Sequence, residues 1–110
     1  MNFLDKIQNK KILVVGLGRT GKATLEMLEG KGSELYAQDS KTRDDMDEAL
    51  VALIDRTCKH AFLGQDPDET KFDYVIMSPG VSPELEFIQR AEKTGAEVIG
   101  ELELAYRLCD

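Results

Sequence analysis

The sequence predicts a doubly wound α/β fold, in which a parallel sheet of five strands in the order 3-2-1-4-5 forms a single domain. Short runs rich in Val, Ile and Leu alternate with amphipathic stretches long enough for crossover helices. A glycine-rich turn, G-x-G-x-x-G at residues 16–21, joins the first such run to the first helical stretch. The length of 110 residues is that of one ordinary domain.

The first strand and the first helix flank this turn. Residues 11–15 are apolar at consecutive positions, which is typical of a parallel strand buried on both faces. The spacing after the turn predicts a helix over residues 20–29, which Gly30 and Gly32 would end. The side chains expected on its buried face are Ala23, Met27 and Leu28.

A second strand is expected at residues 34–38, a weaker apolar run that stops at Asp39. After the polar residues 40–47, a second helix is expected, and the acidic residues 44, 45, 47 and 48 favour a solvated start for it, because carboxylates there complement the helix dipole. Its cap could be Asp39, Ser40 or Thr42. Its expected buried stripe is Ala49, Leu50, Leu53 and Ile54. Residues 59–63 predict a short third strand.

The second half of the chain repeats the alternation. A turn-rich loop at residues 64–71 leads to a clear fourth strand at 72–77. A third helix is expected at 84–94, followed by a fifth strand at 97–99 and a last helix over 101–108. The expected buried side chains of the third helix are Leu85, Ile88 and Ala91.

Composition and charge exclude several classes of function. A formal net charge of −7 argues against a nucleic-acid partner, because phosphate backbones are bound by clustered Lys and Arg. No apolar run approaches the ~20 residues of a membrane span, and the first 11 residues lack the apolar core of an export signal. We therefore expect a cytoplasmic protein with no membrane partner. Cys58 and Cys109 have no metal-ligand spacing, and His60 is the only histidine, so no metal site is expected.

A ligand site is expected where three segments of unusual composition follow strands. In an open α/β sheet, ligands bind beyond the carboxyl ends of the strands, at the point where the strand order reverses. In the predicted order, that point lies between the first and fourth strands. The segments expected to meet there are 16–21, 39–41 and 78–82.

The glycine turn has the context that phosphate binding requires, between a strand and a helix. Gly16 would permit the tight turn, Gly18 would let backbone approach a diphosphate, and Gly21 would allow close packing of helix on strand. The fold is thus expected to be Rossmann-like. Gly16, Gly21 and Lys22 also match a P-loop spacing, but Ala23 stands where a Mg²⁺-binding hydroxyl is needed, which argues against ATP hydrolysis here.

The other two segments, residues 39–41 and 78–82, are more typical of a surface that contacts a ligand than of a catalytic centre. An acid such as Asp39, after the second strand, binds ribose hydroxyls in dinucleotide domains. In Ser78-Pro-Gly-Val-Ser-Pro83, Gly80 would let backbone approach a ligand. Ser78 or Ser82 could donate to a ligand, and Ser82 could also cap the next helix, with Pro83 at that helix's first position. No nucleophile with an adjacent base is evident, so no catalytic residue is assigned.

Four runs of the sequence resemble one known family. The chain is similar, over residues 10–108, to the N-terminal domain of the UDP-N-acetylmuramoyl-L-alanine:D-glutamate ligases of the Mur ligase family. The resemblance implies a three-domain cytoplasmic enzyme of peptidoglycan synthesis, whose N-terminal domain holds the UDP end of the substrate. The runs that carry it are KKILVVGLGRTGKA, AQDSK, DYVIMSPGVSP and GAEVIGELELAYR.

The resemblance also implies roles for individual residues. It assigns the diphosphate to Gly18, Arg19 and Thr20. It assigns the uracil and ribose to Asp39, Ser40 and Lys41. It assigns the UDP-sugar to Ser78, Pro79 and Gly80. ATP and Mg²⁺ would be bound in the full-length enzyme by a central domain, whose ATP loop would begin after residue 110. As a separate molecule the 110 residues would then have no ligase activity and no cofactor of their own.

Two other interpretations remain open from the sequence. An NAD(P)-binding domain of a dehydrogenase or a channel-regulating module would explain the glycine turn and Asp39 equally well. Such a domain would explain the proline-rich segment Ser78–Pro83 less directly. A purely structural module with no ligand is the third alternative. Selective binding of UDP over NADH would distinguish the first interpretation from the second.

Overall fold

The computed structural model describes residues 2–69 and 71–109 and contains the strands and helices of an α/β domain. The strands are β1 (Lys11–Val15), β2 (Glu34–Asp39), β3 (Cys58–Leu63), β4 (Tyr74–Met77) and β5 (Glu97–Gly100). The helices are α1 (Phe3–Lys6), α2 (Arg19–Leu28), α3 (Glu48–Thr57), α4 (Glu86–Lys93) and α5 (Glu101–Leu108), with a 3₁₀ turn at Arg43–Asp45. No helix within the described ranges is long and apolar enough to cross a membrane.

All strand pairs of the sheet are parallel, and the strand order is β3-β2-β1-β4-β5. This confirms the predicted doubly wound fold and its order. Val15 at the end of β1 is in register with Gln38 of β2 and Met77 of β4. The carboxyl ends of these three strands are therefore level, and the segments that follow them leave the sheet at the same edge.

The core lies on both faces of the sheet, because residues 12–15 of β1 point alternately to opposite faces and are all buried. Ile12 and Val14 belong to one cluster, together with side chains of α1, α2, α3 and α5. Leu13 and Val15 belong to the other cluster, which α4 covers with Phe87, Ile88 and Ala91. An apolar run without alternation is what such a central strand requires.

The buried faces of two helices differ from the prediction. In α2, Ala23 is exposed and Met27 only half-buried, while Thr24 and Leu25 are buried. In α3, Ala49 is exposed. Ala buries less apolar area than Leu, so α2 turns Leu25 rather than Ala23 towards the sheet, while Leu50 of α3 is buried as predicted.

The start of α4 was also wrongly predicted. The helix begins at Glu86, so Leu85 is the residue before it and is 41% exposed, and Phe87 is buried in its place. Ser82 does not cap this helix; its Oγ accepts a hydrogen bond from the Glu84 N–H at 3.2 Å within the preceding turn. The residue pairs 85/88 and 87/88 both fit a helical stripe with Ala91, and burial of the larger Phe ring decides between them.

The short helix α1 was not predicted. Its four residues are too few for a periodic pattern, and it depends on local capping and on contacts with the core. Asn2 accepts a hydrogen bond from the Asp5 N–H at 3.0 Å, and Phe3 packs edge-on against Tyr74. The position of α1 therefore depends on contact with β4, which is distant in sequence.

Candidate functional site

The glycine turn after β1 shows why two of its three glycines are required by the fold itself. Gly16 has a φ of +90°, and a Cβ there would lie 2.8 Å from the Ser78 Oγ. A Cβ on Gly21 would lie only 1.9 Å from the carbonyl oxygen of Gly16. A Cβ on Gly18 would meet nothing within 4 Å. Gly18 is thus the one glycine of the turn that leaves open space where a ligand could approach.

Helix α2 begins at this turn with its N–H groups unoccupied by side chains. Gly18 is the N-cap residue and provides no side-chain cap, and the first turn contains no acidic residue. The first N–H of α2 with an intrahelical acceptor is that of Lys22, which donates to the Gly18 carbonyl at 2.9 Å. The N–H groups of residues 19–21 thus have no intrahelical acceptor, and the helix dipole adds positive potential there.

Asp39, at the end of β2, holds the glycine turn in place. One carboxylate oxygen accepts a hydrogen bond from the Leu17 N–H at 2.6 Å, and the other accepts one from the Lys41 N–H at 2.8 Å. Neither Asp39 nor Ser40 nor Thr42 caps the following helix, contrary to one alternative considered from the sequence. Asp47 caps α3 by accepting a hydrogen bond from the Leu50 N–H at 2.8 Å.

A cavity of about 600 Å³ lies between the glycine turn and the start of α3. We call it the glycine-turn cavity. Of the predicted site residues, it brings together Gly18, Arg19, Asp39, Ser40 and Lys41. It is also lined by Leu17, Lys22, Asp45, Met46, Asp47 and Leu50.

The basic and acidic side chains that line the glycine-turn cavity differ in whether they have partners within the protein. Among residues 2–69 and 71–109, the side chains of Arg19, Lys22 and Lys41 form no ion pair. Two of the three acids that line the cavity, Asp39 and Asp47, instead accept hydrogen bonds from backbone N–H groups. Three cations without an ion-pair partner in the described part of the chain, next to an open helix N-terminus, form a region suited to an anionic ligand.

A second cavity of about 400 Å³ adjoins the first and lies at the reversal point between β1 and β4. We call it the β4-loop cavity. Asp39 and Ser40 line both cavities, and Gly80 lines this one. The other lining residues are Val15, Gly16, Gln38, Asp66, Val81, Ser82, Leu85 and Phe87.

Three of the predicted site residues line neither cavity. Thr20 is exposed in the first turn of α2, and Pro79 is exposed in the loop after β4. The Ser78 hydroxyl points into the fold, where it lies 3.0 Å from the Gly16 carbonyl and 3.3 Å from a carboxylate oxygen of Glu101. Ser78 thus connects the β4 loop to the glycine turn.

Several lining residues were missed or left undecided by the sequence analysis. Lys22 lines the glycine-turn cavity, and its position six residues after Gly16 was a usable signal. Asp47 and Met46 gave no such signal, because their approach to the turn depends on the loop between β2 and α3. Asp66 and Phe87 reach the β4-loop cavity from elements that follow later in the chain. No group of three or more possible metal-ligating side chains occurs in the part of the chain that the structure describes.

Comparison with known proteins identifies sequence relatives along almost the whole chain. A family model described as the N-terminal domain of MurD-like Mur ligases matches residues 10–100. A UDP-N-acetylmuramoylalanine–D-glutamate ligase from Alkaliphilus metalliredigens (strain QYMF) is 36% identical over 107 residues, which are 94% of this chain and 23% of that protein. The ligase of the same name from Clostridioides difficile (strain 630) is 34% identical over 103 residues, 93% of this chain and 23% of that protein. The chain thus spans less than a quarter of these relatives' length.

Solved structures resemble the fold at low sequence identity. Shikimate dehydrogenase from Aquifex aeolicus superposes with a TM-score of 0.54 at 15% identity, over 92% of this chain and 46% of that one. A 3-hydroxyacyl-CoA dehydrogenase from Archaeoglobus fulgidus superposes with a TM-score of 0.50 at 18% identity, over 83% of this chain and 33% of that one. At such identities the likeness concerns the Rossmann-like fold alone.

Proposed function

Because the chain belongs to the family of MurD-like Mur ligase N-terminal domains, we propose that it binds the UDP part of UDP-N-acetylmuramoyl-L-alanine. The full-length ligase would add D-glutamate to this substrate in peptidoglycan synthesis. The relatives' printed name, UDP-N-acetylmuramoylalanine–D-glutamate ligase, supports this choice of substrate.

The observation that carries the proposal is the unpaired positive charge of the glycine-turn cavity. Arg19, Lys22 and Lys41 line it without ion-pair partners among the described residues, in a chain whose net charge is −7. A diphosphate is the part of the substrate that needs such charge. Charge-assisted hydrogen bonds from Arg and Lys to phosphate oxygens are about twice as strong as neutral ones.

The diphosphate would lie at the start of α2. Gly18 leaves room for it, since a Cβ there would meet nothing within 4 Å. Arg19 would supply its guanidinium from the cavity wall, and Thr20, which lines no cavity, would contribute through its backbone N–H. The side chain of Lys22 would add a second cation.

The nucleoside would lie against the loop after β2. Asp39 already accepts two backbone hydrogen bonds, so its first effect is to hold Leu17 and Lys41 in place for the ligand. Each carboxylate oxygen retains a second lone pair for a ribose hydroxyl. Ser40 and Lys41 are exposed on the cavity wall and would contact the uracil or ribose directly.

The sugar would extend into the β4-loop cavity. Gly80 lines it, and Val81, Leu85 and Phe87 make much of its wall uncharged. Ser78 and Pro79 would shape this wall indirectly, since Ser78 is tied to the Gly16 carbonyl. Shared lining by Asp39 and Ser40 makes the two cavities adjacent parts of one binding surface.

ATP and Mg²⁺ would be bound by the central domain of the full-length enzyme, with a C-terminal domain completing the glutamate site. The residues of this chain do not fit an ATP–Mg²⁺ site. Ala23 offers no hydroxyl at the P-loop position and is exposed on α2. No step of the ATP chemistry is therefore assigned to this chain.

Calorimetric titration of the purified chain with UDP-N-acetylmuramoyl-L-alanine tests the proposal, with UDP and NADH titrated in parallel. We expect saturable binding of the UDP-sugar, competition by UDP and no binding of NADH. Arg19→Gln should weaken UDP binding about tenfold to a hundredfold, because a charge-assisted hydrogen bond contributes roughly 1.5–3 kcal/mol. Rising salt should reduce the affinity, since the cations are exposed to solvent.

Lys59→Gln is the matched control for the charge change. Lys59 is also an exposed cation, but it lies near the amino end of β3 and pairs with Glu34 at 2.7 Å. The Lys59→Gln variant should therefore bind UDP as tightly as the wild-type chain does. NADH binding without UDP binding would reject the proposal in favour of a dinucleotide domain, and binding of neither ligand would reject both.

A further inference from the structure

A single carboxylate of α5 reaches both elements that flank the proposed ligand site. The Oε2 atom of Glu101, the first residue of α5, lies 3.0 Å from the Oγ1 of Thr24 in α2. The same oxygen lies 3.3 Å from the Oγ of Ser78, the first residue after β4. Glu101 lines neither cavity, so it would act without touching the ligand.

The two hydroxyls that face Glu101 are themselves attached to the glycine turn and the start of α2. Thr24 is only 2% exposed, and its Oγ1 lies 3.0 Å from the Thr20 carbonyl one turn earlier. The Ser78 Oγ lies 3.0 Å from the Gly16 carbonyl. A shift of either hydroxyl would therefore be transmitted to the backbone on which the anion site is built.

Each hydroxyl has one proton and two acceptors within hydrogen-bond distance. A carboxylate is the stronger acceptor of each pair, because hydrogen bonds to ionised groups exceed those to a neutral carbonyl. Removal of the carboxylate would leave both hydroxyls directed at local backbone carbonyls. The contact of α5 with α2 and the β4 loop through these hydrogen bonds would then be lost.

We propose that Glu101 is a positioning residue of the ligand site, which holds the start of α2 and the Ser78 loop at a fixed separation through one carboxylate oxygen. The inference rests on the proposed function, because it concerns the geometry of the same site. No other described side chain accepts hydrogen bonds from both of these elements.

UDP affinity of Glu101→Ala, Glu101→Gln and Glu103→Ala tests the inference. We expect Glu101→Ala to bind UDP about tenfold more weakly, from the loss of two hydrogen bonds to a charged acceptor. Glu101→Gln keeps a side-chain oxygen, but a neutral one that competes on equal terms with the two backbone carbonyls, so it should weaken UDP binding by only a few-fold, less than Glu101→Ala does. Glu103→Ala makes the same charge change on the same helix, at a residue paired with Arg107, and should bind normally.

A second substitution shows whether the effect passes through the hydroxyls. Ser78→Ala combined with Thr24→Val deletes both donors and should weaken UDP binding as much as Glu101→Ala does. Adding Glu101→Ala to that pair of substitutions should then cause no further loss of UDP affinity. If Glu101→Ala alone does not fold, Glu101→Gln takes its place, and adding it to the Ser78→Ala, Thr24→Val pair should again cause no further loss of UDP affinity.

The outcomes separate this inference from the proposed function. UDP binding by the wild-type chain with unchanged affinity in Glu101→Ala would overturn the inference alone. Equal losses in Glu101→Gln and Glu101→Ala would also overturn it, because charge rather than hydrogen bonding would then be responsible. Absence of UDP binding by the wild-type chain would overturn the proposed function and this inference together.

Discussion

The Asp39 carboxylate accepts a hydrogen bond from the backbone N–H of Leu17 at 2.6 Å, which joins the end of β2 to the glycine turn after β1. The other carboxylate oxygen accepts from the Lys41 N–H at 2.8 Å. Two segments of the candidate site, separated by 22 residues in sequence, are thus fixed to each other before any ligand binds. Such preorganisation lowers the entropy that binding would otherwise cost.

Asp39→Ala should lower the free energy of unfolding by about 2 kcal/mol, because two N–H groups lose a charged acceptor. Urea unfolding followed by circular dichroism measures this loss. Asp44→Ala is the control, since Asp44 is an exposed acid of the 3₁₀ turn. Equal stabilities of the two variants would show that the Asp39 hydrogen bonds contribute nothing to folding.

Gly21→Ala and Gly18→Ala should separate the folding role of the glycine turn from its binding role. A methyl group on Gly21 would lie 1.9 Å from the Gly16 carbonyl oxygen. The free energy of unfolding of this variant should therefore fall by about 3 kcal/mol, or the variant should fail to fold. Gly18→Ala adds the same methyl group in open space at a φ of −72° and should keep the wild-type stability within about 1 kcal/mol. Thermal unfolding of both variants measures the difference.

The same Gly18→Ala variant should bind UDP at least about tenfold more weakly, because its methyl group would occupy the space of the diphosphate. Calorimetric titration measures this loss in a protein that is still folded. Wild-type affinity in Gly18→Ala would place the phosphates elsewhere than at the start of α2.

Arg107→Gln should destabilise the fold at neutral pH by up to about 1 kcal/mol, with a smaller effect in acid. The Arg107 guanidinium donates a hydrogen bond to Glu97 at 2.7 Å, and this bond lowers the pKa of the Glu97 carboxyl. A carboxyl whose pKa is lower in the folded state stabilises the fold above its unfolded pKa. That contribution is lost as the pH falls through the folded-state pKa.

Urea unfolding of both proteins across the acidic range checks this prediction. The difference in stability between the wild-type chain and Arg107→Gln should shrink as Glu97 becomes protonated. A difference that stays constant down to about pH 2 would mean that the loss comes instead from packing of Arg107 over the Phe3 ring, 5.4 Å away.

The two cysteines should react with iodoacetamide at different rates. Burial raises the pKa of the Cys58 thiol, so less of its reactive thiolate is present at a given pH, whereas Cys109 is exposed. Mass spectrometry at about pH 8 should find Cys109 modified well before Cys58. In concentrated urea the two rates should become similar, and equal rates in the native state would contradict the partial burial of Cys58.

The sequence predicted the elements whose signals are local. The consecutive apolar residues of β1 and the last helix α5 lie at the predicted bounds, because strand burial and helix periodicity are set by neighbouring residues. The strand order followed from the doubly wound arrangement that alternating strands and helices favour. The position of Gly18 at the start of α2 followed from the spacing of the glycine motif.

Other features could not be read from local patterns. Two helical stripes fitted α4 equally well, and only packing on the sheet decided that Phe87 rather than Leu85 is buried. The α3 cap is Asp47 rather than one of the three earlier candidates, because the 3₁₀ turn delays the start of the helix. The short helix α1 depends on a contact between Phe3 and Tyr74.

By itself the sequence determined the doubly wound fold, the family resemblance and the edge of the sheet at which a ligand site would lie. The tertiary structure alone decided which side chains meet at that edge. Asp39 reaches Leu17, and Glu101 reaches Ser78 and Thr24, only after strands distant in sequence have paired. Periodicity and motif spacing report on neighbours along the chain, whereas these hydrogen bonds depend on how β1, β4 and α5 are placed in space.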